Sequence, residues 1–169
     1  MALPHKLKDF NLYGDSNSWQ GQVKSLTTPE LSRNVTSYRA GGMDAEVELD
    51  MGQQVIEFQW TIAGVLAEIY NEYGSPVHDA TQRRFVGSYE SDEDGTIKAV
   101  EIVVRGRDKT IGGADSSPGD DSDTQITTTC SYYKLTIDDE TIIEIDGPGM
   151  VFNVRGEDRM ADRRAALQL

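Results

Sequence analysis

The chain has 169 residues, enough for one ordinary domain and too short for two comfortable ones. Sixteen basic residues stand against 29 acidic ones, a formal net charge of −13, which argues against a surface that grips nucleic-acid phosphates through cationic contacts. A mean hydropathy of −0.50 and short apolar runs exclude a transmembrane helix, which needs about 20 consecutive apolar residues.

The N-terminus carries Lys6 and Lys8 with no apolar stretch behind them, so no secretory signal is expected. Ser18 to Val23, Leu26 to Leu31 and Val35 to Tyr38 are short and Ser/Thr-rich, and Pro29 interrupts them; they suit edge strands. The segment from Arg39 to Ala45 is a loop with a Gly41-Gly42 pair. Ala45 to Asp50 then alternates strictly, with Val47 and Leu49 on one face and Glu46, Glu48 and Asp50 on the other. Ile56 to Ile62 alternates as well, placing Ile56, Phe58, Trp60 and Ile62 together.

At Gly64 the period changes. Val65, Leu66, Ile69, Tyr70 and Tyr73 follow helical spacing, and Gly74 and Pro76 stop the helix after about ten residues. Strands resume at Arg83 to Tyr89. A turn through Asp94-Gly95 leads into a long strand, Thr96 to Arg107. Asp108 to Asp123 reads as no compact element. Thr124 to Ile137 is a second long strand, turned by Asp138-Asp139 into Thr141 to Ile145. Gly147-Pro148-Gly149 breaks the pattern, Met150 to Val154 is a last strand, and Asp158 is expected to cap a C-terminal helix reaching Leu169. The sum is about eight strands with few helices. It predicts a mainly β fold, a β-barrel or sandwich of two packed antiparallel sheets with one flanking α-helix and a short C-terminal helix.

Catalytic chemistry finds little to stand on. The two histidines, His5 and His78, sit in no metal-ligand spacing, and both read as solvated. There is no phosphate loop and no nucleophile elbow. Cys130 lies in a Thr-rich strand without a catalytic signature; it reads as a structural strand cysteine, with an intermolecular disulfide as the alternative. No cofactor and no catalytic residue is expected.

Three ordered stretches carry a family resemblance. One is Leu31-Ser32-Arg33, then Tyr38 to Asp44, then Asp50-Met51-Gly52. Another is Arg84 to Tyr89 followed by Val103 to Arg107. The last is Tyr132 to Ile137, Ile143 to Asp146, Asn153 to Arg159 and the C-terminal Arg163-Arg164-Ala165-Ala166-Leu167. In order, spacing and total length they resemble the tail tube proteins of contractile-tailed bacteriophages, a family shared with R-type pyocins. Residues 60–82 and the acidic loop 112–123 depart from the family pattern, and Gly147-Pro148-Gly149 is atypical.

The resemblance implies a non-enzymatic structural subunit, a single domain over 1–169 with a projecting loop at about 38–52. It implies hexameric rings stacked helically into a tube, with inner-sheet strands of six subunits joined around the lumen. A tail sheath lies outside, and baseplate and tail terminator proteins lie at the ends. The tape measure protein and then DNA pass through the lumen without tight binding. It also implies a virion tail component, assembled in the host cytoplasm without membrane anchoring. On that reading Glu46, Glu48 and Asp50 are candidates for lumen lining. Tyr38, Arg39, Gly41, Gly42, Met43, Met51, Arg105 and Arg107 are candidates for contacts between rings or subunits. Arg33 joins these arginines as a possible carboxylate bridge. Met160 and Leu167 are candidates for C-terminal docking. Two alternatives stand beside it. One is the tube of a DNA-free tailocin or type VI-like device. The other is a calcium- or carbohydrate-binding β-sandwich using Asp115, Asp120, Asp121 and Asp123.

Overall fold

The computed structural model describes residues 3–113 and 115–169. Its strands are β1 (Lys6–Tyr13), β2 (Val23–Thr27), β3 (Arg33–Tyr38), β4 (Val47–Gln53), β5 (Ile56–Ala63), β6 (Thr81–Glu90), β7 (Ile97–Gly113), β8 (Asp123–Ile137), β9 (Glu140–Asp146), β10 (Val151–Val154) and β11 (Glu157–Asp158). Two short helices, α1 (Ala67–Tyr70) and α2 (Ala161–Ala166), complete it. Every strand pairing is antiparallel, so the mainly β expectation holds. The barrel half of it does not, because the sheet path stays open between β1 and β11.

The long strands β7 and β8 organise the sheet. Their halves lie in different arms. Ile97–Gly106 of β7 pairs with β6, and Tyr132–Ile137 of β8 pairs with β9, giving the order β1-β6-β7-β8-β9-β10-β11. Beyond the bend, the first half of β8 pairs instead with β5, and β5 with β2. The corner falls where the register slips between Arg105 and Gly106. A Cβ at Gly106 would sit 1.9 Å from the Thr129 carbonyl oxygen, so only glycine lets the two backbones approach this closely. Register slips of this kind bend a strand and let one sheet fold over a shared core.

That core is apolar on one side of each arm. Leu12 and Phe85 come from the β1-β6 arm, and Phe58, Trp60, Ile62 and Ile126 come from the other. Trp19 stacks on Trp60 with ring centroids 5.0 Å apart. Between the arms lies a fully buried cation, Arg83. Its guanidinium rests over both indoles, 5.0 Å from Trp19 and 5.5 Å from Trp60. It donates to Glu72 and, at 3.1 Å, to Asp108. Asp108 in turn accepts from the Thr128 hydroxyl at 2.7 Å.

Several expectations shift. β1 is unpredicted, since a bulge between Leu7 and Asp9 puts Leu7 out of phase with Phe10 and Leu12. The two early strands reduce to β2, because Gly21 at φ +77° turns the chain before it and Pro29 follows it. The ten-residue helix is a single turn, α1, with no side-chain cap and one buried anchor, Ile69. β7 runs on to Gly113, through residues that carry no local signal and are ordered by β8. Asp158 does not occupy the helix cap position: it lies in β11, and its carboxylate accepts from the Met160 amide at 2.9 Å. The helix that follows ends at Ala166, short of Leu169.

Candidate functional site

Among the described residues no catalytic constellation stands out, and the features that call for an explanation are two surfaces. The first is the hairpin of β3 and β4, which among the described residues pair only with each other. Opposed residues of an antiparallel pair share a face. Tyr38 opposes Val47 and Thr36 opposes Leu49 on one face; Ser37 opposes Glu48 and Val35 opposes Asp50 on the other. The apolar face is bare: Tyr38 is 50% exposed, Val47 45%, Leu49 46% and Met51 65%. A two-stranded ribbon without a covered face is marginal in water on its own.

The tip is a tight turn. The Met43 amide donates to the Ala40 carbonyl at 3.2 Å, with Gly41 and Gly42 between them. Gly42 has φ +86°, which a side chain would strain. Arg39 Nε donates to the Met43 carbonyl at 3.1 Å, so this arginine serves the turn. At the root, Arg33 holds Asp50 from Nε at 3.0 Å and from Nη2 at 2.7 Å. The same guanidinium lies 5.3 Å from the Phe152 ring centroid, bracing the ribbon on β10. Hydrogen bonds from Arg33 first, and from the Gly52 amide second, hold the Asp50 carboxyl below its ordinary range.

The second surface is the far face of the β2-β5-β8-β7 arm. Register lines up Thr27, Gln59, Thr127 and Thr110 in one row, and Ser25, Thr61 and Gln125 in the next. Glu57, Thr129 and Arg107 form a third row. The face is a carpet of hydroxyls and amides, and Lys109 is matched by Glu57 at 2.7 Å. Among the described residues both edges of this arm are unpaired: β2 pairs only with β5, and β6 leaves β7 at Gly106. Three antiparallel steps separate the edge strands, so β2 and the end of β7 run in opposite directions.

The sequence candidates therefore divide. Tyr38, Arg39, Gly41, Gly42, Met43, Glu46, Glu48, Asp50 and Met51 all lie on the hairpin. Arg105 is elsewhere, stacked 4.0 Å over Tyr132 beside the Gly106 corner, and Arg107 is exposed just past it. Met160 sits by the hairpin root, in a groove with Arg33, Gln53 and Phe152. Leu167 is 59% exposed. In the acidic loop, Asp121 and Asp123 both accept from Lys24, at 2.6 and 2.8 Å. Among the described residues no group of three His, Cys, Asp or Glu side chains gathers as a metal site. The arm face is the surface that sequence reasoning misses. The alternation of β5 puts Gln59 outside, but the register that aligns it with Thr127 has no local signal.

Comparison with known proteins decides the family. Residues 4–167 match the family described as phage tail tube protein FII. The chain belongs to this family. The tail tube protein of Escherichia phage P2 is 37% identical, with both chains covered completely. The major tail tube protein of Serratia phage KSP20 is 33% identical over 96% of this chain and 95% of its own. In fold, the chain is similar to one in the sheath–tube complex of an extracellular contractile injection system. The TM-score is 0.58 at 12% identity, over 79% of this chain and 91% of the other. As a phage tail tube protein this is a structural component of the virion tail. Among the described residues no helix is long and apolar enough to cross a membrane.

Proposed function

We propose that six copies close into a ring by pairing the free β2 edge of one with the free end of β7 in the next. Rotation about a ring axis preserves the axial sense of each strand. Because β2 and β7 run oppositely within one subunit, they meet antiparallel between subunits, as the ladders inside the arm do. A head-to-tail contact with a closing rotation gives a ring. The arm's two oppositely directed free edges carry this reading.

The rings stack helically into a tube of a contractile tail, driven through the host envelope. The sheath surrounds it, a baseplate and a terminator bound it, and the tape measure protein and then DNA occupy its lumen. The hairpin is the element that reaches the neighbouring ring, with Tyr38, Met43 and Met51 on its contact surface. Arg105 and Arg107 flank the arm edge where subunits meet, and Met160 and Leu167 dock the C-terminal segment on a neighbour. The lumen wall passes, in this proposal, from Glu46, Glu48 and Asp50 to the hydroxyl and amide face of the arm, since Asp50 is held by Arg33 at the hairpin root. Phosphates find few free cations on that face, so DNA slides past it without counterion-releasing contacts.

Negative-stain electron microscopy of the concentrated protein tests the assembly. Sixfold rings or hollow tubes are the expected result. Solid filaments or a particle without a lumen contradict it.

A further inference from the structure

The C-terminal segment runs past the foot of the β3–β4 hairpin, and it is lightly attached. β11 joins β10 through two residue pairs, Asn153 with Asp158 and Val154 with Glu157. Every residue of the six-residue α2 is exposed or half-buried. A helix this short has little stability of its own in water, so contact with the body is what holds it. The Arg159 amide donates to the Phe152 carbonyl at 2.8 Å. Arg164 donates to the Met150 carbonyl at 2.8 Å and to the Asp158 carboxylate, which ties α2 to the start of β10 and to β11.

The hairpin root leans on the same place. Arg33, which grips Asp50, lies over the Phe152 ring. A groove of about 230 Å³ is lined by Gly52 and Gln53 of the root, by Met160 and Arg163 of the C-terminal segment, and by Phe152. Charge acts across it as well. Arg33 foremost, then the Gly52 amide, and more weakly Arg163, hold the Asp50 carboxyl below its ordinary range. Phe152 is therefore shared: its carbonyl holds the C-terminal segment, and its ring carries the guanidinium that orients the hairpin. Among the described residues β3 and β4 pair only with each other, so the hairpin's direction depends on these root contacts.

We infer that the segment from Glu157 to Ala166 is a strap on β10 that sets the hairpin's direction, and that lifting the strap frees the hairpin while the body stays folded. A weakly held terminal element of this kind opens locally, without global unfolding. Lifting withdraws Met160 and Arg163 from the groove and releases the Phe152 carbonyl, so the ring under Arg33 loses its fixed position. The coupling runs both ways, and a root that holds Phe152 in place favours the docked strap. It is a property of the single subunit and does not depend on ring closure or stacking.

Amide hydrogen exchange on the free subunit tests it. Gly52 and Gln54 report the root, since their amides donate to the Asp50 carboxylate at 2.8 Å and to the Ser32 carbonyl at 2.9 Å. Arg159 and Met160 report the strap through their bonds to Phe152 and Asp158. The R164A variant, which removes the bonds to Met150 and Asp158, is expected to speed exchange roughly tenfold at Arg159 and Met160 and also at Gly52 and Gln54. The R33A variant, which removes the bonds to Asp50, is expected to speed exchange at Arg159 and Met160 as well as at Gly52. Both arginines are partly exposed, and a melt close to the parent's checks that each variant is folded. Acceleration confined to the strap in R164A, or to the root in R33A, overturns the inference. Unchanged exchange at Arg159 and Met160 in R164A overturns it too, because the strap is then held by something else.

Discussion

Arg33 grips Asp50 across the root of the β3–β4 hairpin and at the same time lies over Phe152 of β10. One guanidinium thereby fixes the angle at which a largely exposed ribbon leaves the body. Both side chains are substantially exposed, so the pair directs the ribbon more than it stabilises the fold. For the R33A variant the melt of the body is expected to stay close to the parent's, while amide exchange at Gly52 accelerates. A large drop in the melting temperature would assign the pair to global stability instead.

Acid should loosen the same root. Arg33 holds the Asp50 carboxyl below the ordinary aspartate value of 3.8, and Arg164 does the same for Asp158 beside α2. A carboxylate with a depressed folded-state pKa binds protons more readily in the unfolded chain. Its contribution is therefore complete above 3.8 and is lost as the pH falls through the lower folded value. The Gly52 and Met160 amides, which donate to these carboxylates, should lose exchange protection in that window after correction for intrinsic rates. Asp50→Asn and Asp158→Asn should remove the pH dependence. Protection that is flat with pH would contradict the assignment.

Arg83 and Asp108 make the opposite case, a pair with no exposure. Removing one member leaves a buried charge with less compensation, at a cost of about 3–5 kcal/mol. Asp108→Ala should lower the urea midpoint accordingly. Asp108→Asn should cost less, since an amide oxygen still accepts from Thr128. Equal midpoints for the two variants would show that the Thr128 hydrogen bond contributes nothing beyond the charge.

The bend between the arms depends on Gly106. The methyl of Gly106→Ala would meet the Thr129 carbonyl oxygen and the neighbouring backbone, which yield less than a side chain does. Overpacking among side chains typically costs about 1–3 kcal/mol, and this backbone clash should exceed that, seen as low soluble yield or a strongly reduced urea midpoint. A variant of parental stability would mean that the corner is set elsewhere.

The lumen assignment has a chemical test. Gln59 is exposed on the arm face, and Cys130, the native thiol, is buried with its pKa pushed up to about 12 by desolvation, so it stays silent. Gln59→Cys should react with a bulky polyethylene-glycol maleimide in the free subunit and be protected in assembled tubes. Equal labelling in both states would put the arm face on the outside.

Some of this architecture is legible in the sequence. The alternation of Ile56, Phe58, Trp60 and Ile62 marks a strand with one buried face, and the Gly41-Gly42 pair marks the hairpin tip, because both signals are local. β1 is hidden by the bulge after Leu7, and the end of β7 by its reliance on β8 for order. The Arg83 network joins residues 11 and 25 positions apart, with no motif to announce it. The arm face is hidden for the same reason. Its threonines and glutamines become one surface only through pairing between distant strands.

The most direct test of the ring is a cryo-electron microscopy map of assembled tubes at a resolution that separates strands. The arrangement predicts a continuous antiparallel wall in which β2 of each subunit hydrogen-bonds to residues 107–113 of β7 in the next, with Gln59 and Thr127 facing the lumen. Subunits joined by other contacts, with the β2 edge left open to solvent, would contradict it.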